Sequence, residues 1–257
     1  MNTLDQDGIL AINRAGWDKV AHSFGGTALP HYGPLAATEE TLGLLDLLVG
    51  KRVLELGCGS GHSLQYLAQH GATELWGLDL AATQIAFATT LLEDYGSAVH
   101  LFQSPMEENP GIPESYFDVV VSIYALGWSA NLTQTLSHVV RYLKPNGCFV
   151  FSWEHPIYHC LDYEAGHFVM RRSYQEEGPQ AVDQWKGVPI IMYPRKISTY
   201  VNALIAAGLV IERLLEADLD IHLAQGSNVS PEAWYSIPRA TLVPTTMIIK
   251  ARKPANA

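Results

Sequence analysis

The chain has 257 residues, 48% of them hydrophobic, a formal net charge of −10 and a pI near 5.4. That is apolar mass enough for one large α/β domain, or a domain with an insertion, and it lacks the basic surplus on which a phosphate-tracking nucleic-acid enzyme is built. No apolar run approaches the roughly 20 residues that span a bilayer, residues 1–17 hold no apolar signal core, and Cys58, Cys148 and Cys160 make no disulfide framework, so a reduced, cytoplasmic protein is expected.

Leu4, Ile9, Ile12, Ala15, Val20 and Ala21 recur at loosely helical spacing before the Gly25-Gly26 break, which predicts an amphipathic helix over residues 4–23. His31-Tyr32-Gly33-Pro34 reads as a turn. Pro34 suits the first position of a second helix, with Glu39 and Glu40 as its acidic start and Leu42, Leu44, Leu45, Leu47 and Leu48 as its apolar face.

Val53, Leu54 and Leu56 then form a short apolar run, as in a buried parallel strand. It leads into Gly57-Cys58-Gly59-Ser60-Gly61, and His62 to His70 is helical, closed by Gly71. Strand, glycine turn and helix make the unit that cradles a nucleotide. The dinucleotide fingerprint requires its third glycine at position 62, which is His62. Glu55, two residues before the first glycine, repels a pyrophosphate but attracts an ammonium group. The next strand, Glu74 to Leu80, contains Asp79, 18 residues beyond Gly61, where a carboxylate accepts hydrogen bonds from ribose hydroxyls. An ammonium group at one end and a ribose at the other describe S-adenosylmethionine (SAM) better than NAD.

On these residues the chain resembles the class I SAM-dependent methyltransferases, with ELGCGSG as their motif I and GLDL as their motif II. YGP, the acidic helix start, the leucines and GKRVLELGCGSG together resemble a bacterial small-molecule subgroup, similar to the ubiquinone and menaquinone biosynthesis methyltransferases. The resemblance implies an α/β fold: a Rossmann-like seven-stranded sheet with helices on both faces. It implies one domain over residues 1–257, comprising an N-terminal helical lid (1–48), a SAM-binding core (49–153), a substrate cap inserted after strand five (154–194) and a C-terminal completion of the core (195–257). It further implies that Glu55, Gly57, Cys58, Gly59, Gly61, Asp79 and Leu80 bind the cofactor. Tyr32 would face its methionine end, and the N-terminal segment would close over the site with Trp17 on the substrate. An ordinary packing helix and a surface tyrosine are the alternatives for the last two.

Ala81 to Tyr95 is predicted helical and Ala98 to Phe102 a third strand. Relatives usually follow that strand with Gly-Asp, whose acid helps to read adenine. Here the matching residues are Ser104 and Pro105, so adenine falls to the Ser104 hydroxyl, the Met106 amide or the Glu107 carboxylate. Phe117 to Ser122 matches motif IV, with Ser122 assigned to the cofactor. The residues that follow lack the [DN]PP[YF] amide clamp. Tyr124 and Trp128 are assigned to an aromatic substrate pocket, plain core being the alternative. Asn131 is an N-cap for a helix from Leu132 to Leu143, Lys144 to Gly147 is a turn, and Cys148 to Trp153 is strand five.

That strand ends in Trp153-Glu154-His155-Pro156. His155 stands at the carboxyl edge, where such sheets place their ligands, and is the first candidate for base or substrate contact, with Tyr124 the second; a plain cap of the strand end is the alternative for His155. A His-Pro pair here also occurs in the subgroup. His155, His159, Cys160 and His167 match no metal-ligand spacing, and no metal is expected. Ile157 to Tyr193 is rich in aromatics and reads as the substrate cap, with Tyr193 on the substrate. Arg195 to Ala207 is helical, Leu209 to Leu215 is strand six, residues 218–241 are irregular, and Thr246 to Lys250 is the last strand, antiparallel by resemblance. The activity expected is in-line methyl transfer from SAM to an oxygen or nitrogen of a small aromatic or amphipathic metabolite. The expected partners are that small molecule alone, with no nucleic acid or membrane, in a monomer or homodimer. A non-catalytic SAM-binding subunit and an aminopropyl transferase are the rivals.

Overall fold

A computed structural model describes residues 5–23, 25–220, 222 and 229–255. Seven strands form one sheet: β1 (Arg52–Leu56), β2 (Glu74–Asp79), β3 (Val99–Gln103), β4 (Phe117–Ile123), β5 (Leu143–Glu154), and two that follow much later, β10 (Val210–Glu216) and β11 (Thr246–Arg252). Their order across the sheet is β10-β11-β5-β4-β1-β2-β3. All neighbours pair in parallel except at β11, which runs antiparallel to both β5 and β10. The chain winds outward from β1 to β3, then returns to lay β4 on the other side of β1. This reversal opens a crevice at the carboxyl ends of β1 and β4, the place where open α/β sheets bind ligands.

Both faces of the sheet are buried, and side chains alternate between them with the two-residue period of a strand. Leu54, Leu56, Val120, Phe149, Phe151, Met247 and Ile249 pack on one face. Val53, Val119, Val121, Cys148, Val150 and Ile248 pack on the other. Continuous apolar runs such as FDVVVS follow directly, because a strand covered on both sides has no solvent face to make polar. Each fully buried Leu or Phe contributes about 1.5–3 kcal/mol. Helices α3 (His62–Gln69), α4 (Ala82–Leu91), α5 (Leu132–Tyr142) and α7 (Ile197–Ala206) provide the covering layers. The side chain of Asn131 accepts from the Gln134 amide at 3.1 Å and so caps α5.

The predicted helix after Pro34 is reduced to one turn, α2 (Glu39–Leu42), stopped by Gly43 in the left-handed region at φ 55°. The cause is Glu39. Its carboxylate accepts from the amides of Leu44 and Leu45 and from the Tyr32 hydroxyl, and this satisfies the backbone where a helix would otherwise continue. Leu44 and Leu48 are buried but Leu47 is 76% exposed, so the leucines share no helical face. The turn predicted at Lys144–Gly147 is absorbed into β5 as a bend, with Asn146 at φ 63°.

After β5 comes the short α6 (Pro156–His159), then two antiparallel hairpins, β6 (Leu161–Glu164) with β7 (His167–Met170) and β8 (Gln180–Trp185) with β9 (Val188–Met192). Helix α1 (Gln6–Val20) is fastened to the second hairpin. Asn13, buried mid-helix, donates to the Ile191 carbonyl at 3.0 Å and accepts from the Ile191 amide at 2.7 Å. Gly16 lets the pair close, since a Cβ there would stand 3.0 Å from the Pro189 carbonyl oxygen. At its other end α1 reaches the core, where Asp18 accepts from the Thr83 amide at the start of α4.

Candidate active site

A cavity of about 800 Å³ opens at the carboxyl edge of the parallel strands, between the sheet, α1 and the second hairpin. Its floor is the turn after β1. The amides of Gly57 and Cys58 both donate to the Leu78 carbonyl at the end of β2, which folds the turn back over the sheet. A Cβ on Gly57, at φ 70°, would lie 2.3 Å from the Ala125 Cβ, so this position closes the turn against the loop after β4. Gly59, at φ 50°, is different: a Cβ there would meet nothing within 4 Å. The main chain is bare to the cavity at this point.

Asp79 accepts from the Gly59 amide through Oδ2 and from the Ala81 amide through Oδ1, both at 2.9 Å. Burial pushes its carboxyl up to about 6, against the opposing effect of those amides. Glu55 is 2% exposed, and its Oε2 has no hydrogen-bond partner. Burial drives its carboxyl well above the usual carboxylate range. A bare glycine turn, a carboxylate at the end of β2 and an orphaned buried acid fit the adenosine and amino-acid ends of SAM. Ser104, Met106 and Leu80 line the same end. The Ser104 hydroxyl donates locally to the Pro105 carbonyl. Glu107 Oε1 is committed to Ser129 and the Ala130 amide, so this carboxylate chiefly anchors the loop before α5.

The other end of the cavity is aromatic. Trp17 of α1, Trp128 and Trp185 stand edge to face with ring centroids 5.0–5.6 Å apart, and Trp153 joins Trp128 at 5.5 Å. Gly127 makes room for the Trp153 indole, since a Cβ there would fall 1.8 Å from its ring. Tyr124, at φ 54°, hydrogen-bonds Thr246 Oγ1 at 3.3 Å, and burial raises its phenol. Glu154 at the end of β5 is almost buried. Its Oε2 accepts from the Trp234 indole at 2.6 Å and the Tyr235 hydroxyl at 2.8 Å.

Of the residues predicted for the site, Trp17, Glu55, Gly57, Cys58, Gly59, Asp79, Leu80, Ser104, Met106, Tyr124 and Trp128 line this cavity. Five do not. Tyr32 is fully buried in the core beneath, its hydroxyl donating to Glu39 at 2.6 Å. Gly61 caps α3 at φ 85°, and a Cβ there would press on Ala88 and Leu92 of α4, so it serves helix packing. Ser122 donates to the Leu56 carbonyl and ties β4 to β1. Tyr193 lines an adjoining cavity of about 30 Å³ that shares Trp153, Glu154 and His159 with the main one, and it lies under the Arg195 guanidinium.

His155 is the largest correction. Its Nδ1 accepts from the Ile157 amide at 3.2 Å, which places the proton on Nε2, and Nε2 donates to Glu216 at 2.9 Å. Nδ1 is used in capping α6 and Nε2 in tying it to the end of β10. Desolvation lowers its affinity for a proton, although Glu216 acts in the opposite direction. No nitrogen is left to face a substrate. Sequence reasoning missed Glu154, its immediate neighbour, and also Trp185, Trp234, Tyr235, His159 and Gln84. An acid at the end of strand five was a visible signal. Trp234 and Tyr235 carried none, being some 80 residues from the carboxylate they hold.

Among the described residues no group of three or more His, Cys, Asp or Glu is placed to hold a metal ion, and no helix is long and apolar enough to cross a membrane.

The sheet order, with its antiparallel β11, and the crevice over the glycine turn define a Rossmann-like nucleotide-binding fold. Residues 54–151 match the family described as methyltransferase domain. A Haemophilus influenzae protein described as uncharacterised is 34% identical over 187 residues, covering 68% of this chain and 73% of its own. The crystal structure of an S-adenosylmethionine dependent methyltransferase from Mesorhizobium loti superposes with a TM-score of 0.69 at 28% identity, over 86% of this chain and all of that one. The ubiquinone biosynthesis O-methyltransferase of Azoarcus sp. is 32% identical over 105 residues, 41% of this chain and 45% of that protein. The chain belongs to the class I SAM-dependent methyltransferases, enzymes whose methyl donor is SAM.

The upward push of burial on Glu55 gives a direct test of the ammonium site. A carboxyl whose proton affinity is raised by burial gives up protons when a cation arrives, so binding of S-adenosylhomocysteine (SAH), which keeps the amino-acid head, should release protons and strengthen as pH rises. Calorimetry near pH 7.5, above the titration of Asp79, should show enthalpies that depend on the ionisation heat of the buffer. Glu55→Gln should remove that dependence. A wild-type enthalpy indifferent to buffer would take Glu55 out of the ammonium site.

Proposed function

We propose that this enzyme methylates an oxygen or nitrogen of a small aromatic or amphipathic metabolite. Glu55, Gly57, Gly59, Asp79, Leu80, Ser104 and Met106 hold the cofactor. The acceptor lies among Trp17, Trp128, Trp153 and Trp185, with its polar end toward Tyr124 and Glu154. The observation that carries this reading is the pairing of a tryptophan-walled space with one buried carboxylate, in the same cavity as the glycine turn. Aromatic walls favour flat or amphipathic ligands, and few convergent polar groups orient them. In this proposal residues 1–48 and 154–194 act as lid and cap. Support comes from the Asn13 bonds, which make α1 and β9 one covering piece. Methyl transfer from an activated sulfonium needs approach geometry and exclusion of water more than covalent help from the protein, and an aromatic-walled chamber under α1 and the second hairpin serves both. A net charge of −10 supports a metabolite over a nucleic acid.

The test is transfer from methyl-labelled SAM into a cell metabolite extract, with the labelled product identified by mass spectrometry. An oxygen- or nitrogen-methylated small molecule is expected. Label found only on RNA, DNA or protein, or only on carbon or sulfur, would sink the reading. Trp128→Ala should raise the acceptor KM about tenfold or more and leave SAH affinity unchanged, because the indole touches the acceptor side alone.

A further inference from the structure

Among the described residues lining the main cavity, two have a buried polar side-chain atom with no hydrogen-bond partner. One is Glu55 Oε2, at the cofactor end. The other is His159 Nε2, at the acceptor end. An orphaned buried polar atom is costly, and one on a cavity wall is where a ligand is expected to complete the pairing. Resting on the proposed acceptor site, we infer that His159 is the general base of the reaction, oriented by Glu154, and that the acceptor is an aromatic hydroxyl, protonated before it reacts.

The orientation of the ring follows from its neighbours. His159 Nδ1 lies 3.5 Å from Glu154 Oε1. Glu154 cannot swing away, because its other oxygen is held by the Trp234 indole and the Tyr235 hydroxyl. A carboxylate only accepts, so the nitrogen facing it carries the hydrogen. Nε2 is then a bare lone pair and calls for a donor, O–H or N–H. The backbone of His159 is fixed as well: its carbonyl accepts from Arg172 Nη1 at 2.8 Å. This is the arrangement that His155 lacks, since there both nitrogens are spent inside the fold. The flat walls of Trp128, Trp153 and Trp185 suit a ring on that hydroxyl.

In the step, the hydroxyl oxygen attacks the sulfonium methyl. The new O–CH₃ bond forms as the C–S bond breaks, and its electron pair stays on sulfur as SAH. The hydroxyl proton passes to His159 Nε2, and the imidazolium is held beside the Glu154 carboxylate until the proton leaves to solvent. Atoms and charge balance without a further reactant. The rival is a water in the 30 Å³ cavity that His159 also borders, which would use Nε2 as a purely structural acceptor.

Nitrogen-15 spectra of the imidazole groups, assigned with His159→Gln, test this without turnover. The free protein should show His159 with its hydrogen on Nδ1, and Glu154→Gln should abolish that preference. Adding phenol or 4-hydroxybenzoate to the SAH complex should shift Nε2. In turnover with phenol, 4-hydroxybenzoate and 4-nitrophenol, His159→Gln should cut kcat about 100-fold on the least acidic phenol, with a smaller loss on 4-nitrophenol and SAH affinity intact. A hydrogen on Nε2, an Nε2 signal that ignores saturating phenols, or methylation of aniline or thiophenol with no phenol methylated would each overturn the inference. Failure of the wild-type protein to bind SAH would instead overturn the proposed function, and the inference with it.

Discussion

Gly59→Val should weaken SAH binding by 100-fold or more, about 2.7 kcal/mol, while the protein stays folded. The space beside this residue is open: a Cβ there meets no protein atom within 4 Å. A valine would therefore fill room meant for the ligand rather than strike the fold. The fold would lose only the strain of a β-branched residue at φ 50°, about 1–2 kcal/mol. Gly57→Ala is the contrasting control. Its Cβ would arrive 2.3 Å from that of Ala125 at φ 70°, so stability should fall by several kcal/mol before binding is considered. Melting curves and SAH calorimetry on both variants separate the two effects. Full SAH affinity in Gly59→Val would place the cofactor elsewhere.

Asp79→Ala should weaken SAH binding by about 1.5–3 kcal/mol, as ribose hydroxyls lose a charged acceptor. The same carboxylate closes the glycine turn through the Gly59 and Ala81 amides, so some stability should go too. Its titration makes a second, signed prediction. Burial raises Asp79 from about 3.8 to about 6 in the folded protein. Between those values the folded chain holds a proton that the unfolded chain has lost. The contribution to stability is therefore favourable at low pH and declines as pH rises from about 4 through about 6, by about 3 kcal/mol in all. Cofactor affinity runs the opposite way. The ionised carboxylate is the better acceptor, so SAH should bind more weakly as pH falls below about 6. Unchanged affinity in Asp79→Ala, or an SAH affinity flat from pH 5 to 8, would contradict this role.

Much of this protein was legible one segment at a time. KRVLELGCGSG announces strand, turn and helix because apolar run, glycines and helical stop act over a few residues. Asn131 and the motif-bearing strands are legible for the same reason. The runs FDVVVS and CFVFSW show that the sheet is covered on both faces. Glu55 is legible as well, as an unpaired buried acid, because a carboxylate in an apolar strand beside a glycine turn has no local partner. What local pattern cannot state is which side chain is already spent. Tyr32 looks like a ligand contact until Glu39 takes its hydroxyl, and the leucines after Glu40 look helical until the same carboxylate caps the backbone early.

The acceptor end was decided almost wholly by tertiary structure. Trp17, Trp128 and Trp185 meet only because α1 docks on β9 through Asn13, a contact between residues 178 apart in sequence. His155 and His159 are the same residue type four positions apart. The choice between them rests on Glu216 and the Ile157 amide closing one ring, and on Trp234 and Tyr235 steering Glu154 toward the other. Sequence by itself settled the strand grammar and the methyl donor, since those depend on short-range backbone geometry. The pairing of orphaned polar atoms with a shared cavity was left to the folded chain, because hydrogen-bond satisfaction is a property of neighbours in space.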